Sequence, residues 1–289
     1  FERHTTIVHT PAGDLRSVYL SGRKGQPGMQ EEHLLKSVED AEKYLSLPIS
    51  TVSGDVSSFF ELDRQAGDRG IVEVGLGLNP AGLVADLLGS ARFAEFSVEH
   101  RGLLHALMQR RLDQMLAVAR YLVGAGVGPH FALLGQEYVA PPLHSPRDFA
   151  EFNVRYDRQI ADGVHEAGGR LHVHCHGPLK AVLPQFLDLG ADVLHPIEAP
   201  PMGDVTPAMA KEVFRGRTCI EGNIQIGDMY TETPEGIRAA AEGLIRDAFD
   251  DGGGLIVCPT ASPYVPEMSR QCYDNYAALV EVVANWPGR

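Results

Sequence analysis

From about residue 70 onward the chain alternates short apolar runs with longer amphipathic ones, and nothing else in it restricts the fold as strongly. Six runs, at 70–74, 130–134, 170–175, 192–196, 217–221 and 254–258, have the length and bounding of buried strands, and helical segments separate them. Strands that alternate with helices build a parallel sheet, because a parallel neighbour is reached only through a crossover long enough to hold a helix. The longest helical run, roughly 98–123, places Leu103, Leu104, Leu107, Met108, Leu112, Met115, Leu116 and Ala119 in the i, i+3, i+4 stripe that faces a core. Gly124, Gly126 and Gly128 end that helix; because they follow a helix, they are not a dinucleotide fingerprint. The glycine-rich stretch 75–82 lacks the third glycine where a phosphate-binding turn requires it, which argues against a doubly wound sheet.

The expected architecture is an α/β protein of the (β/α)8 TIM-barrel type, a fold that holds a chain of 289 residues in one domain. Residues 70–289 supply the main βα repeats. Residues 1–69 differ: 5–10 and 16–20, separated by Pro11-Ala12-Gly13-Asp14, read as a β-hairpin, and a helix follows around 31–44. The six runs fall short of eight strands. The hairpin, a weakly marked strand, or residues before Phe1 make up the difference.

A net charge of −13, from 25 basic and 38 acidic residues, argues against a nucleic-acid or acidic-membrane partner and for plain solubility. No run of eighteen apolar residues suggests a membrane helix. The four cysteines, 175, 219, 258 and 272, sit in dissimilar contexts, as expected for reduced thiols of a cytoplasmic protein.

In such a barrel the chemistry gathers at the C-terminal ends of the strands. The richest of these ends is Leu171-His172-Val173-His174-Cys175-His176-Gly177. Alternation along a strand puts His172, His174 and His176 on one face and Cys175 on the other. Cys175 then reads as a small buried hydrophobe and His172, deeper in the strand, as a packed or bridging residue; Cys219 and Cys272 read as structural. The other ends deliver Gln136 and Glu137; His195 and Glu198; Glu221, Asn223 and Gln225; and Cys258, four residues before Ser262-Pro263-Tyr264. His174, His176, Glu198 and Cys258 are the expected metal ligands, since zinc accepts nitrogen, sulfur and oxygen donors in one sphere. His174, His176, Glu198 and Glu137 are the expected catalytic groups, and Asn223, Gln225 and Tyr264 the expected substrate contacts. The same residues without metal fit general acid–base work, and spacing alone leaves both open. There is no Gly-x-Ser-x-Gly elbow and no phosphate-binding Walker loop.

These segments resemble the uroporphyrinogen decarboxylase superfamily, which holds decarboxylases of tetrapyrrole synthesis and zinc-dependent methyltransferases serving corrinoid proteins or thiol acceptors. The resemblance runs through Thr10-Pro11-Ala12-Gly13-Asp14-Leu15, Lys36-Ser37-Val38-Glu39-Asp40, Ser145-Pro146-Arg147-Asp148-Phe149, His174-x-His176-Gly177 and Gly222-Asn223-Ile224-Gln225, and closes with the last strand and helix. It implies a (β/α)8 barrel with its site at the strand C-termini. The decarboxylases' arginine-rich N-terminal signature does not appear here, and the methyltransferase branch is nearer. Its zinc motif is His-x-Cys-Gly plus a late cysteine. His174 matches the histidine, His176 stands at the first cysteine, and the late cysteine falls at Ala261, three residues after Cys258. The resemblance therefore implies methyl transfer from a small methylated substrate to a corrinoid or thiol acceptor, with zinc or another divalent metal as cofactor. A corrinoid protein is the partner this branch implies; a homodimer is an expected assembly that the resemblance does not supply. A metal-free decarboxylase ranks second, since only Arg147 and Lys180 lie near the strand ends to hold substrate carboxylates. A non-catalytic ligand-binding member is the third alternative.

Overall fold

The computed structural model describes residues 1–23, 27–249, 253–265 and 267–287. The chain forms two compact units, Phe1–Gly169 and Arg170–Arg289.

The first unit opens with an antiparallel sheet, β1 (Glu2–Thr10), β2 (Gly13–Ser21) and β3 (Met29–Glu32), in that order. The hairpin is longer than the sequence suggests, pairing Glu2 with Ser21 at one end and Thr10 with Gly13 at the turn. The third strand is a correction to the expected helix at 31–44. Met29 and Gln30 pair with Leu20 and Tyr19, so the helix, α1 (Val38–Leu45), starts only where Ser37 caps it by accepting from the Asp40 N–H. After α2 (Ser57–Ala66) comes β4 (Val74–Leu78), four residues beyond the expected 70–74 run. Alternating Gly75 and Gly77 hide the strand from a hydropathy reading. Its end is sharp: Asn79 accepts from the Gly82 N–H and Pro80 opens α3 (Pro80–Leu88). Then follow α4 (Ser90–Glu99), α5 (Arg101–Gly124), β5 (His130–Leu134), α6 (Pro146–Phe149) and α7 (Arg155–Glu166), with a π-helical turn at Ala150–Val154 between the last two. β4 and β5 pair in parallel.

A fully buried polar knot lies at the C-terminal ends of β4 and β5. Asn79 Nδ2 donates to Asn153 Oδ1 and Asp157 Oδ2, and Gln136 Nε2 donates to the same Asp157 oxygen at 2.8 Å. Burial pushes the Asp157 carboxyl up to about 7, although the Gln136 and Asn79 donors pull the other way.

The second unit repeats the βα pattern cleanly: β6 (Arg170–His174), α8 (Gln185–Leu189), β7 (Val193–His195), α9 (Pro207–Phe214), β8 (Cys219–Glu221), α10 (Asp228–Thr231), α11 (Pro234–Ala248), β9 (Leu255–Ile256) and α12 (Arg270–Asn285). The strands lie side by side in chain order, all parallel. Thr206-Pro207 and Thr233-Pro234 start their helices the same way, a threonine hydroxyl capping and proline taking the first turn. Leu171, Val173, Leu194 and Ile220 are wholly buried on one face of these strands, and Cys175 continues that face as a small buried residue. The opposite face carries His172, His174, His195 and Glu221. Among the described residues no helix is long and apolar enough to cross a membrane.

Candidate active site

Strand register assembles the polar face of the second unit. In a parallel pair, partnered residues present their side chains on the same side. His174 pairs with His195, and the Leu194–Ile220 pairing sets His195 level with Glu221. Glu221 pairs in turn with Ile256, two residues before Cys258. Three strands thus bring His174, His195 and Glu221 to one level, and Cys258 follows two residues beyond the Ile256 partner of Glu221, just past the end of β9.

Beyond the strands the pairing continues between loops. The Ile224 N–H donates to the Cys258 carbonyl, the Thr260 N–H to the Ile224 carbonyl, and the Ile226 N–H to Thr260 Oγ1. This zip fixes where Cys258 stands. Gly222 adopts φ 124°, a conformation that favours glycine, just after Glu221.

Two groups of side chains occupy this face. In the first, Glu198 Oε2 lies 3.2 Å from His176 Nδ1 and accepts the Gly177 N–H at 2.8 Å. Burial alone would raise the Glu198 carboxyl, but His176 and the Gly177 N–H bring it below the usual range. The His176 ring stands edge-on to His174, with centroids 4.7 Å apart. His174 Nδ1 is 2.9 Å from His195 Nδ1, and His195 Nε2 donates to the Pro259 carbonyl at 3.2 Å. Burial, reinforced by the neighbouring imidazoles, lowers His174 to about 4; burial also lowers His195. Both shifts favour the neutral rings.

The second group is His195, Glu221 and Cys258, whose ligand atoms all lie within 4.8 Å of one another. The Cys258 thiol donates to Glu221 Oε1 at 3.7 Å, and His172 Nε2 lies 3.7 Å from Glu221 Oε2. Burial and then the Glu221 carboxylate push the Cys258 thiol far up, so without a cation it stays protonated. The set suits zinc chemically. Bonds of about 2.0–2.3 Å at tetrahedral angles separate ligands by about 3.3–3.8 Å, within small side-chain adjustments of the observed group.

Of the four ligands expected from sequence, Cys258 belongs to this metal-ready triad. His174, His176 and Glu198 form the adjoining network instead, and among the described residues no second triad meets the same separation. His195 and Glu221, both recognisable at strand ends, take the remaining two places. Their signal was register, which residue spacing alone does not carry. Of the expected substrate contacts, Gln225 is half-buried, and its Nε2 is a buried donor without a partner among the described residues. Asn223 is half-buried beside the zipped loops. Tyr264 is 65% exposed, stacked on Tyr230 at 5.2 Å, and its N–H donates to the Tyr230 hydroxyl. Glu137 belongs to the first unit, on the single helical turn Gln136–Val139 after β5.

The family model described as "Uroporphyrinogen decarboxylase (URO-D)" matches residues 31–286. The fold is similar to that of a solved methyltransferase from Methanosarcina mazei, with a TM-score of 0.65 and 18% identity over 91% of this chain and 74% of that one. No curated protein matches the chain.

Proposed function

Because the chain belongs to the uroporphyrinogen decarboxylase family, we propose that it is a barrel enzyme of that family which transfers a methyl group and depends on a divalent metal, zinc by donor chemistry. The observation that carries this reading is the His195–Glu221–Cys258 triad, a mixed nitrogen, oxygen and sulfur set drawn together from β7, β8 and the loop after β9. The metal-free decarboxylase alternative leaves that set without a use. The likeness to a methyltransferase fold is in keeping with it.

In this reading His195, Glu221 and Cys258 hold the cation. Bound there, it would supply Lewis acidity that keeps a thiol acceptor in its nucleophilic, deprotonated form. His176 and Glu198, paired at 3.2 Å, form an acid–base couple next to that position. His174, neutral through burial, borders both groups. Gln225 offers its unpartnered amide N–H to a substrate oxygen, Asn223 lies two residues away, and the Tyr230–Tyr264 stack gives an apolar wall for the methylated group. A methyl-corrinoid, free or carried by a corrinoid protein, is the methyl donor to that thiolate, and the demethylated corrinoid leaves with the electron pair of the broken cobalt–carbon bond.

Metal analysis of protein purified without chelators tests the reading. About one zinc per chain is expected, falling below about a tenth in Cys258→Ser and Glu221→Gln. Zinc-loaded protein should move methyl groups between a methyl-corrinoid and a small thiol, followed by corrinoid absorbance. A metal-free wild type that still performs the transfer overturns the proposal.

A further inference from the structure

The hydrogen bond between His174 and His195 joins like atoms, Nδ1 to Nδ1, so one nitrogen must donate and the other accept. The far side of His195 decides which. Its Nε2 faces the Pro259 carbonyl, and a carbonyl oxygen only accepts, so Nε2 carries the hydrogen. A neutral imidazole has one N–H. His195 Nδ1 is therefore the acceptor, His174 Nδ1 the donor, and His174 Nε2 a bare lone pair.

A cation in the triad changes this assignment. It needs a lone pair on His195, and Nε2 is the nitrogen directed toward Pro259, the neighbour of Cys258, whereas Nδ1 is turned to β6. Once Nε2 is a ligand, the single hydrogen of neutral His195 must sit on Nδ1. His174 Nδ1 then becomes the acceptor, and its hydrogen moves to Nε2.

We infer that His174 and His195 form a tautomeric relay, in which occupancy of the His195–Glu221–Cys258 site by a divalent cation reverses the hydrogen bond between the rings and converts His174 Nε2 from a base into a donor. The inference rests on the metal reading above and adds what the metal does to a residue outside its ligand set. Protons balance. The His174 Nδ1 proton passes to His195 Nδ1, the His195 Nε2 proton leaves as the cation enters, and His174 Nε2 takes one from solvent. Each ring stays neutral. The one net release per cation is the thiol proton of Cys258, which binds as thiolate. The arrangement makes the protonation pattern beside His176 and Glu198 conditional on a loaded site.

The test is two-bond 1H–15N correlation spectroscopy on histidine-labelled full-length protein, which separates the two neutral tautomers directly. In chelator-stripped protein His174 should report Nδ1–H and His195 Nε2–H. Saturating zinc, with binding followed separately by calorimetry, should replace both patterns completely, giving His174 Nε2–H and His195 Nδ1–H. Cys258→Ser should keep the stripped pattern and fail to switch. Zinc that binds by calorimetry but leaves His174 as Nδ1–H overturns the relay and spares the metal reading. Zinc that does not bind at all sinks both. Stripped protein showing His174 as Nε2–H refutes the relay before any metal is added.

Discussion

Gly203 has no room for a side chain. A Cβ there would stand 2.3 Å from the Glu198 carbonyl oxygen, 2.8 Å from Glu198 Cβ and 2.9 Å from the Gly177 carbonyl. Those neighbours are the loop and turn that hold the Glu198 carboxylate against the Gly177 N–H and His176. Gly203→Ala should therefore cost about 1–3 kcal/mol in urea titration, the usual penalty of overpacking. It should lower methyl transfer about tenfold by displacing Glu198, while zinc stoichiometry stays that of wild type. Loss of zinc instead would place Glu198 among the ligands. Asp157 gives a second prediction at this scale. Its Oδ1 and Gln136 Oε1 are buried acceptors with no hydrogen-bond partner among the described residues, and the two groups are already joined through Gln136 Nε2 and Asp157 Oδ2. A protonated carboxyl completes that pair by donating to Gln136 Oε1. Folding raises this carboxyl from an ordinary 3.8 to about 7, so its stabilisation is full below about pH 4 and is lost as pH rises through about 7. Asp157→Asn supplies the same donor at every pH. Relative to wild type, its melting temperature should be higher at pH 8.5 than near pH 5 by about 4 °C or more. An equal difference at both values would show that Asp157 carries no extra proton.

Elements with plain hydrophobic periodicity were legible in the sequence. The run at 130–134 is β5 to the residue, and the runs at 170–175, 192–196 and 217–221 contain β6, β7 and β8. Their order and alternation follow from apolar residues meeting a core on one face. What escaped has physical causes. β3 carries Met29-Gln30-Glu31-Glu32, a polar sequence held as strand by pairing to β2, so its neighbour and not its propensity decides its state. β4 is half glycine. The site was legible in its histidines and Cys258 but not in its grouping, because the level of each side chain depends on strand register. The zip between residues 222–226 and 258–260 makes register itself testable. Thr260 is 1% exposed, and its hydroxyl accepts the Ile226 N–H. Thr260→Val keeps the shape and orphans that N–H, which should cost about 1–3 kcal/mol. It should also weaken zinc binding about tenfold, the scale of a lost supporting contact, by letting Cys258 drift. Thr260→Ser should restore both. Unchanged affinity in Thr260→Val would separate the zip from the ligand geometry.

At the scale of the whole molecule, all the proposed ligands belong to the unit Arg170–Arg289, while the family match begins only at residue 31, inside β3. The hairpin sheet thus lies mostly outside the family pattern, and β1 is exposed along most of its length. Ligand linkage acts through whichever opening reaction exposes a given amide. A cation at a hundredfold excess over its dissociation constant stabilises the folded state by about 2.7 kcal/mol, yet slows exchange only where opening destroys its site. Fraying of the mostly exposed β1 does not separate His195, Glu221 and Cys258, so the cation should not slow exchange there. Amides of β7 and β8, and of the loops at 222–226 and 258–260, cannot open without separating His195, Glu221 and Cys258. Hydrogen exchange of stripped and zinc-loaded protein should therefore show slowing of about tenfold or more at those positions and none in β1. Equal slowing along both units would mean that every amide reports one global unfolding. Slowing in the hairpin alone would move the cation away from the triad and remove the basis of the proposed chemistry.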